Sequence, residues 1–168
     1  KVMIAATTGI AESKIRVVAP AVGGGFGAKL NVNPDEILAV TLANKLGRAV
    51  RWTESRTEAA FSTHQGRGQL QKIELAADAD GKLQGVRVHV DADMGAYMML
   101  ITPGVPLLGS FLYTGVYDVP AFGFTCDGYF TNLTPTDAYR GAGRPEASYA
   151  IERAMDILAA QVGIGPDE

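Results

Sequence analysis

The 168-residue sequence has little cysteine, little excess charge and no long apolar run, and each shortage excludes a class of protein. Its single cysteine, Cys126, cannot form an intrachain disulfide and does not suffice for a thiolate metal cluster. A formal net charge of −3 without a basic run gives no electrostatic basis for binding nucleic acid. The apolar stretch MMLITPGVPLLG is shorter than a membrane span and contains two prolines. We therefore expect a globular protein with no nucleic-acid partner and no membrane span. A lone cysteine fits a reducing compartment, so we expect a cytoplasmic location.

Both ends of the sequence predict that it belongs to a longer polypeptide. It begins with KVMIAATTG in the middle of an apolar pattern, and it ends on GIGPDE, which is typical of the approach to a further element. We expect residues 1–168 to form a single domain of a larger subunit, so that a site seen here is part of a site.

The first third of the chain has signals for two helices and two strands. An apolar segment predicts a short helix over 3–11 that ends near Gly9, and β-branched KIRVVAPAV predicts a buried strand over 14–22. Asn33 before Pro34 predicts the start of a helix over 33–47, whose apolar face holds Ile37, Leu38, Thr41, Leu42 and Leu46. AVRWTES predicts a strand over 49–55, which completes a βαβ-like unit.

The rest of the chain predicts a hairpin, a further strand region and a long helix. Two alternating segments joined at Asp80-Gly81 predict antiparallel strands, and residues 115–132 predict one or two more. PEASYAIERAMDILAAQVG predicts a helix over 145–163 with an apolar stripe of Ala150, Ile151, Ala154, Ile157 and Leu158. The fold class expected is α+β, with mixed or antiparallel sheets and two main helices.

The glycine run AVGGGFGAKL, residues 21–30, has three interpretations. It is a turn that needs positive φ angles, a dinucleotide fingerprint, or a backbone surface that lies against a bulky cofactor. Gly23, Gly25 and Ala28 match the dinucleotide spacing, but KLNVNP separates them from the next helix, whose N-terminus should hold the pyrophosphate. A phosphate-binding P-loop also fails, because Lys29 is followed by neither Ser nor Thr.

A second glycine-rich turn, TPTDAYRGAGRPEAS, precedes the long helix at residues 134–148. Arg140 and Arg144 stand where the helix dipole already favours negative charge. They are either surface arginines that pair with carboxylates such as Glu146, or part of an anion cradle at a helix N-terminus.

Three blocks of this sequence, VVAPAVGGGFGAK, RWTESRTEAAFSTHQGRG and TNLTPTDAYRGAGRPEASYAIERAMDILA, resemble the molybdenum-binding large subunits of the xanthine oxidase/aldehyde oxidase family. The likeness runs through essentially the whole chain and is strongest to the bacterial carbon monoxide dehydrogenase branch. It implies that the Gly-Phe-Gly loop and the arginine turn border the molybdenum cofactor, with the Phe26 N–H donating to an oxygen of that cofactor. The cofactor-contacting positions so implied are Gly25, Phe26, Gly27, Ala138, Tyr139, Arg140 and Gly141.

The resemblance also implies the reaction and its partners. The family hydroxylates a substrate carbon at molybdenum, and the electrons leave through iron–sulfur clusters to flavin. We therefore expect molybdenum–molybdopterin in its cytosine dinucleotide form in the full-length protein, an iron–sulfur subunit, an FAD subunit and a small-molecule substrate. The family's glutamine contact and catalytic glutamate fall outside residues 1–168. We thus expect no complete catalytic set here, and neither activity nor bound cofactor in this chain alone.

The chain departs from the family pattern where substrates are distinguished. Gly141 stands where carbon monoxide dehydrogenases carry the cysteine that holds copper, and Cys126 matches no motif and is expected in the core. Leu30 replaces a glutamate of the xanthine-oxidising relatives, and Ala142 replaces their ring-stacking phenylalanine. These departures favour an aldehyde or a small heterocycle over carbon monoxide or a purine.

Other polar groups are assigned ordinary roles. Glu54 and Glu58 are expected to be solvated or ion-paired, and His64 and His89 lack metal-ligand spacing, so no metal ligands are predicted. DADMGAY resembles a calcium loop but is too short. Two other functions remain open: a dinucleotide-binding module, and a non-catalytic domain of the same fold that serves subunit assembly.

Overall fold

The structure, a computed structural model, describes residues 1–165. These residues divide into two compact units, Lys1–Thr63 and the described part of the chain from His64 onward. The final residues of the GIGPDE ending lie outside the described part. No helix among the described residues has both the length and the apolar character needed to cross a membrane. That the whole chain forms one domain stays a prediction.

The first unit consists of short helices joined by irregular chain. They are α1 at Val2–Thr8, α2 at Pro34–Leu46 and α3 at Arg56–Ser62, with a 3₁₀ turn at Glu12–Lys14. The predicted starts and stops of α1 and α2 are confirmed. Gly9 and Gly47 end them in the left-handed conformation, and the Glu36 carboxylate accepts a hydrogen bond from the Asn33 N–H at 2.9 Å.

The two strands predicted in this unit are wrong, and with them the βαβ unit. Residues 15–22 and 49–55 have no strand structure, and Val17, Val18 and Val22 are exposed. A strand needs a neighbour to pair its backbone N–H and C=O groups, and residues 1–63 provide none. No residue of Lys1–Thr63 is buried, so the predicted apolar face of α2 is also largely exposed, at Leu38, Leu42 and Leu46.

The second unit is built on a three-stranded mixed sheet in the order β1-β2-β3. Its strands are β1 at Gln69–Ala77, β2 at Leu83–Gly95 and β3 at Phe122–Phe130. β1 and β2 are antiparallel, as predicted, and β3 runs parallel to β2. The hairpin turn forms because the Asp78 carboxylate accepts hydrogen bonds from the N–H groups of Asp80 and Lys82, while Gly81 takes a φ of +85°.

Two helices complete the second unit: α4 at Gly104–Gly109, followed by a 3₁₀ turn at Ser110–Leu112, and α5 at Arg144–Val162. α5 lies against the sheet and contributes Ala147 and Ile151 to a core whose other buried members are Val86, Val88, Val90, Ala92, Met94 and Tyr113. Burying each valine removes enough apolar area to contribute about 1.5–3 kcal/mol. The predicted stripe differs at Ile157, which is exposed and lines a cleft of about 590 Å³ between β1 and α5. The predicted α+β class with a mixed sheet is confirmed.

Candidate functional site

The glycine loop of the first unit is held in a conformation that ordinary residues avoid. Gly23, Gly24 and Gly27 have φ angles of +66°, +126° and +94°. Phe26 also has a positive φ, +51°. This left-handed backbone conformation costs about 1–2 kcal/mol for a residue that carries a Cβ atom. The Phe26 side chain is 58% exposed, and its ring lies over Gly24, where an added Cβ would come within 2.7 Å of it. The loop therefore presents an exposed aromatic ring on a strained backbone, which is a feature typical of ligand-binding segments.

The Lys29 side chain folds back onto this loop and hydrogen-bonds its backbone. Its ammonium donates hydrogen bonds to the carbonyl oxygens of Val22 at 3.1 Å and Gly24 at 2.6 Å. Two loop carbonyls thus point to a cation of the same loop, and the Lys29 charge is already engaged with the backbone. This differs from a P-loop lysine, which extends to the phosphates.

The dinucleotide interpretation of the loop is not supported by its surroundings. No strand precedes Gly23 within residues 1–63, and α2 begins only at Pro34. The pyrophosphate position of the fingerprint depends on a strand before the glycines and a helix N-terminus directly after them. Both are missing from this unit.

The arginine turn of the second unit is built on contacts with the segment that precedes β1. Gln65 forms an isolated parallel bridge with Thr136, and the His64 Nε2 atom hydrogen-bonds the Ala138 carbonyl oxygen at 2.8 Å. His64 is buried, and its Nδ1 atom has no hydrogen-bond partner among the described residues. His64 thus holds the backbone immediately before Tyr139 and Arg140, a role that the sequence analysis missed.

Arg67 is the second residue that the sequence analysis missed, although it lies inside one of the blocks that carry the family resemblance. Its guanidinium donates to the Arg140 carbonyl oxygen at 2.9 Å and to the Tyr139 carbonyl oxygen at 3.3 Å. It also contacts both carboxylate oxygens of Glu146 at 3.1 Å and lies 5.3 Å from the centre of the Tyr139 ring. Glu146, proposed from sequence as a partner of the turn arginines, is therefore the ion-pair partner of Arg67.

Glycines at 141 and 143 set the path of the turn into α5. Gly143 has a φ of +91°, and a Cβ there would clash with the Val105 carbonyl oxygen. Gly141 has a φ of +110°, and a Cβ there would stand 2.5 Å from the Pro145 ring. A cysteine at position 141 would meet both strain and a steric conflict with Pro145. The turn, as folded here, therefore has no room for a thiolate side chain at position 141.

Two carboxylates stabilise the backbone around the turn. Asp137 is fully buried and accepts hydrogen bonds from the Ile101 N–H at 3.1 Å and the Thr102 hydroxyl at 3.4 Å. Asp93 accepts from the Thr131 hydroxyl at 2.7 Å and the Gly95 N–H at 2.8 Å. Because each carboxylate serves as an acceptor for neighbouring donors, these acids have structural roles.

The remaining residues singled out from sequence take ordinary positions. The Glu58 carboxylate caps α3, and hydrogen bonds from the Ser55 backbone and side chain lower its pKa; Glu54 accepts from the Ser62 hydroxyl at 2.7 Å. Cys126 packs against the core from β3, as expected, and burial followed by the charges of two nearby aspartates raises its pKa. The calcium-like segment 91–97 is largely the end of β2.

The site residues predicted from sequence thus lie in two sets, Gly25–Gly27 in the first unit and Ala138–Gly141 in the second. That both sets contact one cofactor stays a prediction. The first set is a strained glycine backbone in which the Lys29 ammonium is bound by the carbonyl oxygens of Val22 and Gly24. The second set places Arg140 four residues before Arg144, at the positive end of α5.

The structure thus defines an α+β domain with two glycine-rich turns, the second of which leads into the N-terminus of α5. The chain belongs to the molybdopterin cofactor-binding domain family, whose model matches residues 1–168. The resemblance recognised from the sequence motifs is confirmed.

Three relatives illustrate the likeness. The chain is 36% identical over 166 residues to the 6-hydroxypseudooxynicotine dehydrogenase complex subunit gamma of Paenarthrobacter nicotinovorans, covering 99% of the chain and 21% of that protein. It is 39% identical over 171 residues to the carbon monoxide dehydrogenase large chain of Hydrogenophaga pseudoflava, covering 100% and 21%. The crystal structure of quinoline 2-oxidoreductase from Pseudomonas putida 86 superposes with a TM-score of 0.92 at 36% identity, covering 98% and 21%. The chain therefore spans about a fifth of the length of these relatives.

Proposed function

We propose that this chain is the cofactor-contacting part of the catalytic subunit of a molybdenum hydroxylase, and that it is inactive by itself. The observation that carries the proposal is a family match over the whole chain, together with two glycine turns whose backbone takes positive φ angles. The large subunits it resembles are about five times longer, so the remaining residues of the site would come from the rest of such a subunit.

The proposed roles follow from the local geometry. The molybdenum–pterin group supplies the redox chemistry that hydroxylates a substrate carbon. The Phe26 N–H donates a hydrogen bond to that group, Gly25 and Gly27 allow the backbone to approach it, and the exposed Phe26 ring shields the contact from water. Arg140 supplies a fixed positive charge, and Arg67, His64 and the two turn glycines hold it in place. Such preorganised donors stabilise negative charge on the cofactor without reorganising during the reaction.

The substrate we propose is an aldehyde or a small nitrogen heterocycle. Copper-dependent oxidation of carbon monoxide needs a thiolate beside the arginine, and here that position is Gly141, in a conformation that disfavours a side chain. Leu30 and Ala142 offer neither the carboxylate nor the aromatic ring of a purine site. The names of two relatives, a 6-hydroxypseudooxynicotine dehydrogenase complex subunit and a quinoline 2-oxidoreductase, agree with a heterocyclic substrate.

The same proposal extends to the surroundings of the enzyme. We propose the cytosine dinucleotide form of the cofactor, partner subunits that carry iron–sulfur clusters and FAD, and a cytoplasmic location. Support for separate partner subunits comes from the names of relatives that are described as a complex subunit gamma or a large chain.

The test uses the complete catalytic subunit with Arg140→Ala, and Arg153→Ala as the matched control. Arg153 is an exposed arginine of α5 whose partner is Asp156. We expect Arg140→Ala to lower turnover by about 10²–10³-fold, the loss usual for one preorganised donor, and Arg153→Ala to leave it unchanged. Molybdenum and pterin content is measured beside turnover on an aldehyde and heterocycle panel.

Two results would overturn the proposal. Unchanged turnover and cofactor content in the Arg140→Ala enzyme would remove Arg140 from the site and favour an assembly role for the domain. Stabilisation of the chain by NAD or FAD in a thermal-shift assay, lost on Gly25→Ala, would instead favour the dinucleotide-binding module.

A further inference from the structure

The face of the sheet opposite α5 carries a group of polar side chains on β2 and β3. Along β2 the residues Val88, Val90 and Ala92 are buried in the core, so His89 and Asp91 lie on the other face. The parallel register pairs His89 with Thr125 and Asp91 with Asp127. An imidazole, a hydroxyl and two carboxylates thus share one surface patch, which we call the His-Asp-Asp cluster after His89, Asp91 and Asp127.

The two carboxylates of this cluster stand at directly opposed positions of neighbouring strands. Like charges in such a pair destabilise a sheet unless a cation lies between them. Two basic residues of the same face, Lys72 and Arg87, both contact Glu74, at 3.0 and 3.2 Å.

His89 is oriented toward both carboxylates. Its Nδ1 atom hydrogen-bonds the Thr125 hydroxyl at 2.8 Å, which directs Nε2 to Asp91 Oδ1 at 3.3 Å and to Asp127 Oδ2 at 3.9 Å. One ligand atom from each of the three residues lies within 4.8 Å of the others. Tetrahedral ligands bound at about 2.0–2.2 Å stand about 3.3–3.6 Å apart, so small side-chain adjustments bring all three atoms into coordination distance.

We propose that His89, Asp91 and Asp127 bind one divalent transition-metal cation, with Zn²⁺ as the preferred ion, through residues other than the proposed molybdenum cofactor contacts. Zn²⁺ accepts imidazole nitrogen and carboxylate oxygen together, whereas Mg²⁺ and Ca²⁺ prefer oxygen ligands only. Thr125 is the outer partner that fixes the imidazole, as hydrogen-bond acceptors of metal-bound histidines commonly do. The bound cation neutralises the opposed aspartates and links β2 to β3. This proposal does not depend on the proposed function.

The experiment is a calorimetric titration of the full 168-residue chain with ZnCl₂ near neutral pH, with circular dichroism as a check on folding. We expect saturable 1:1 binding that is lost in His89→Gln and in Asp127→Asn. Thr125→Val should weaken binding by about tenfold or more, because it removes the outer hydrogen bond and no ligand. Glu74→Gln is the matched control, since it removes one negative charge from the same face and no ligand atom.

Substitution with Co²⁺ provides the second measurement. Visible absorption bands with the intensity typical of four-coordinate Co²⁺ support the site if they disappear in Asp127→Asn. The proposal is overturned if the folded chain shows no saturable Zn²⁺ binding, or if Glu74→Gln weakens binding as much as Asp127→Asn does. The latter result would indicate attraction of cations to the charged face in general.

Discussion

Replacing Arg67 by methionine tests whether a single guanidinium holds the arginine turn. The change removes two hydrogen bonds to backbone carbonyls, at Arg140 and Tyr139, and the cation that balances Glu146. The Glu146 side chain is only 8% exposed, so it would be left as a nearly buried charge. Breaking a fully buried pair costs about 3–5 kcal/mol, and because Arg67 is 38% exposed we expect a smaller loss of about 2–3 kcal/mol.

The assay is thermal and urea unfolding followed by circular dichroism. For a chain of this length the expected loss corresponds to a fall in Tm of about 5–10 °C. Arg153→Met is the control, because its ion pair with Asp156 at 3.6 Å is exposed at both ends and should contribute no more than about 1 kcal/mol. Hydrogen exchange should also quicken at the Ala142 N–H, which donates to the Tyr139 carbonyl oxygen inside the turn.

The double variant Arg67→Met/Glu146→Met shows whether the stability lost in Arg67→Met comes from the unpaired Glu146 charge or from lost packing. If an unpaired buried carboxylate causes most of the loss, the double variant is more stable than Arg67→Met alone, and the coupling energy exceeds about 1 kcal/mol. The reasoning is refuted if Arg67→Met unfolds within the error of Arg153→Met. It is also refuted if the free energy of unfolding lost in the double variant equals the sum of the losses in Arg67→Met and Glu146→Met.

Three further predictions concern the turn, the core and the cysteine. Gly143→Ala should destabilise the chain by about 2–4 kcal/mol, because its Cβ would meet the Val105 carbonyl oxygen. Gly9 has a similar φ but open space around it, so Gly9→Ala should cost only about 1–2 kcal/mol. Equal losses of the two variants in urea unfolding would contradict this prediction. Burial raises the pKa of Tyr113 to about 12, above its unfolded value of about 10, so its contribution to stability is complete below about pH 10 and is lost as the pH rises toward 12. Ultraviolet titration in which all tyrosines of the folded chain ionise near pH 10 would be inconsistent with that burial. Burial also raises the pKa of Cys126, so alkylation of the folded chain should be slower than that of the urea-unfolded chain, and equal rates would place the thiol in solvent.

Local signals in the sequence were sufficient to predict a helix end or a hairpin wherever one contiguous segment contains all the interactions that define it. Asn33, Pro34 and Glu36 determine the start of α2 from within four residues, and Gly47 determines its end. Alternation across Asp80-Gly81 determines the β1–β2 hairpin, because both strands and their turn are contiguous. The family motifs pointed to Gly25–Gly27 and Arg140, but through resemblance to known proteins.

Interactions between distant segments could not be read in this way. The strand predicted at 14–22 satisfied the apolar pattern, yet a strand exists only if another chain segment pairs with it, and residues 1–63 supply none. Arg67 reaches Glu146 across 79 residues, and the opposed aspartates of the His-Asp-Asp cluster meet only because β3 runs parallel to β2 in one register.

For this protein, then, the amino-acid sequence alone specified the helix caps, the β1–β2 hairpin and the family to which the chain belongs. Folding in three dimensions selected which carbonyls Arg67 binds, which glycines have no room for a side chain, and which charges face each other. The physical reason is that propensity and capping act over a few residues, whereas pairing, packing and ion-pair partners depend on which distant segments come into contact.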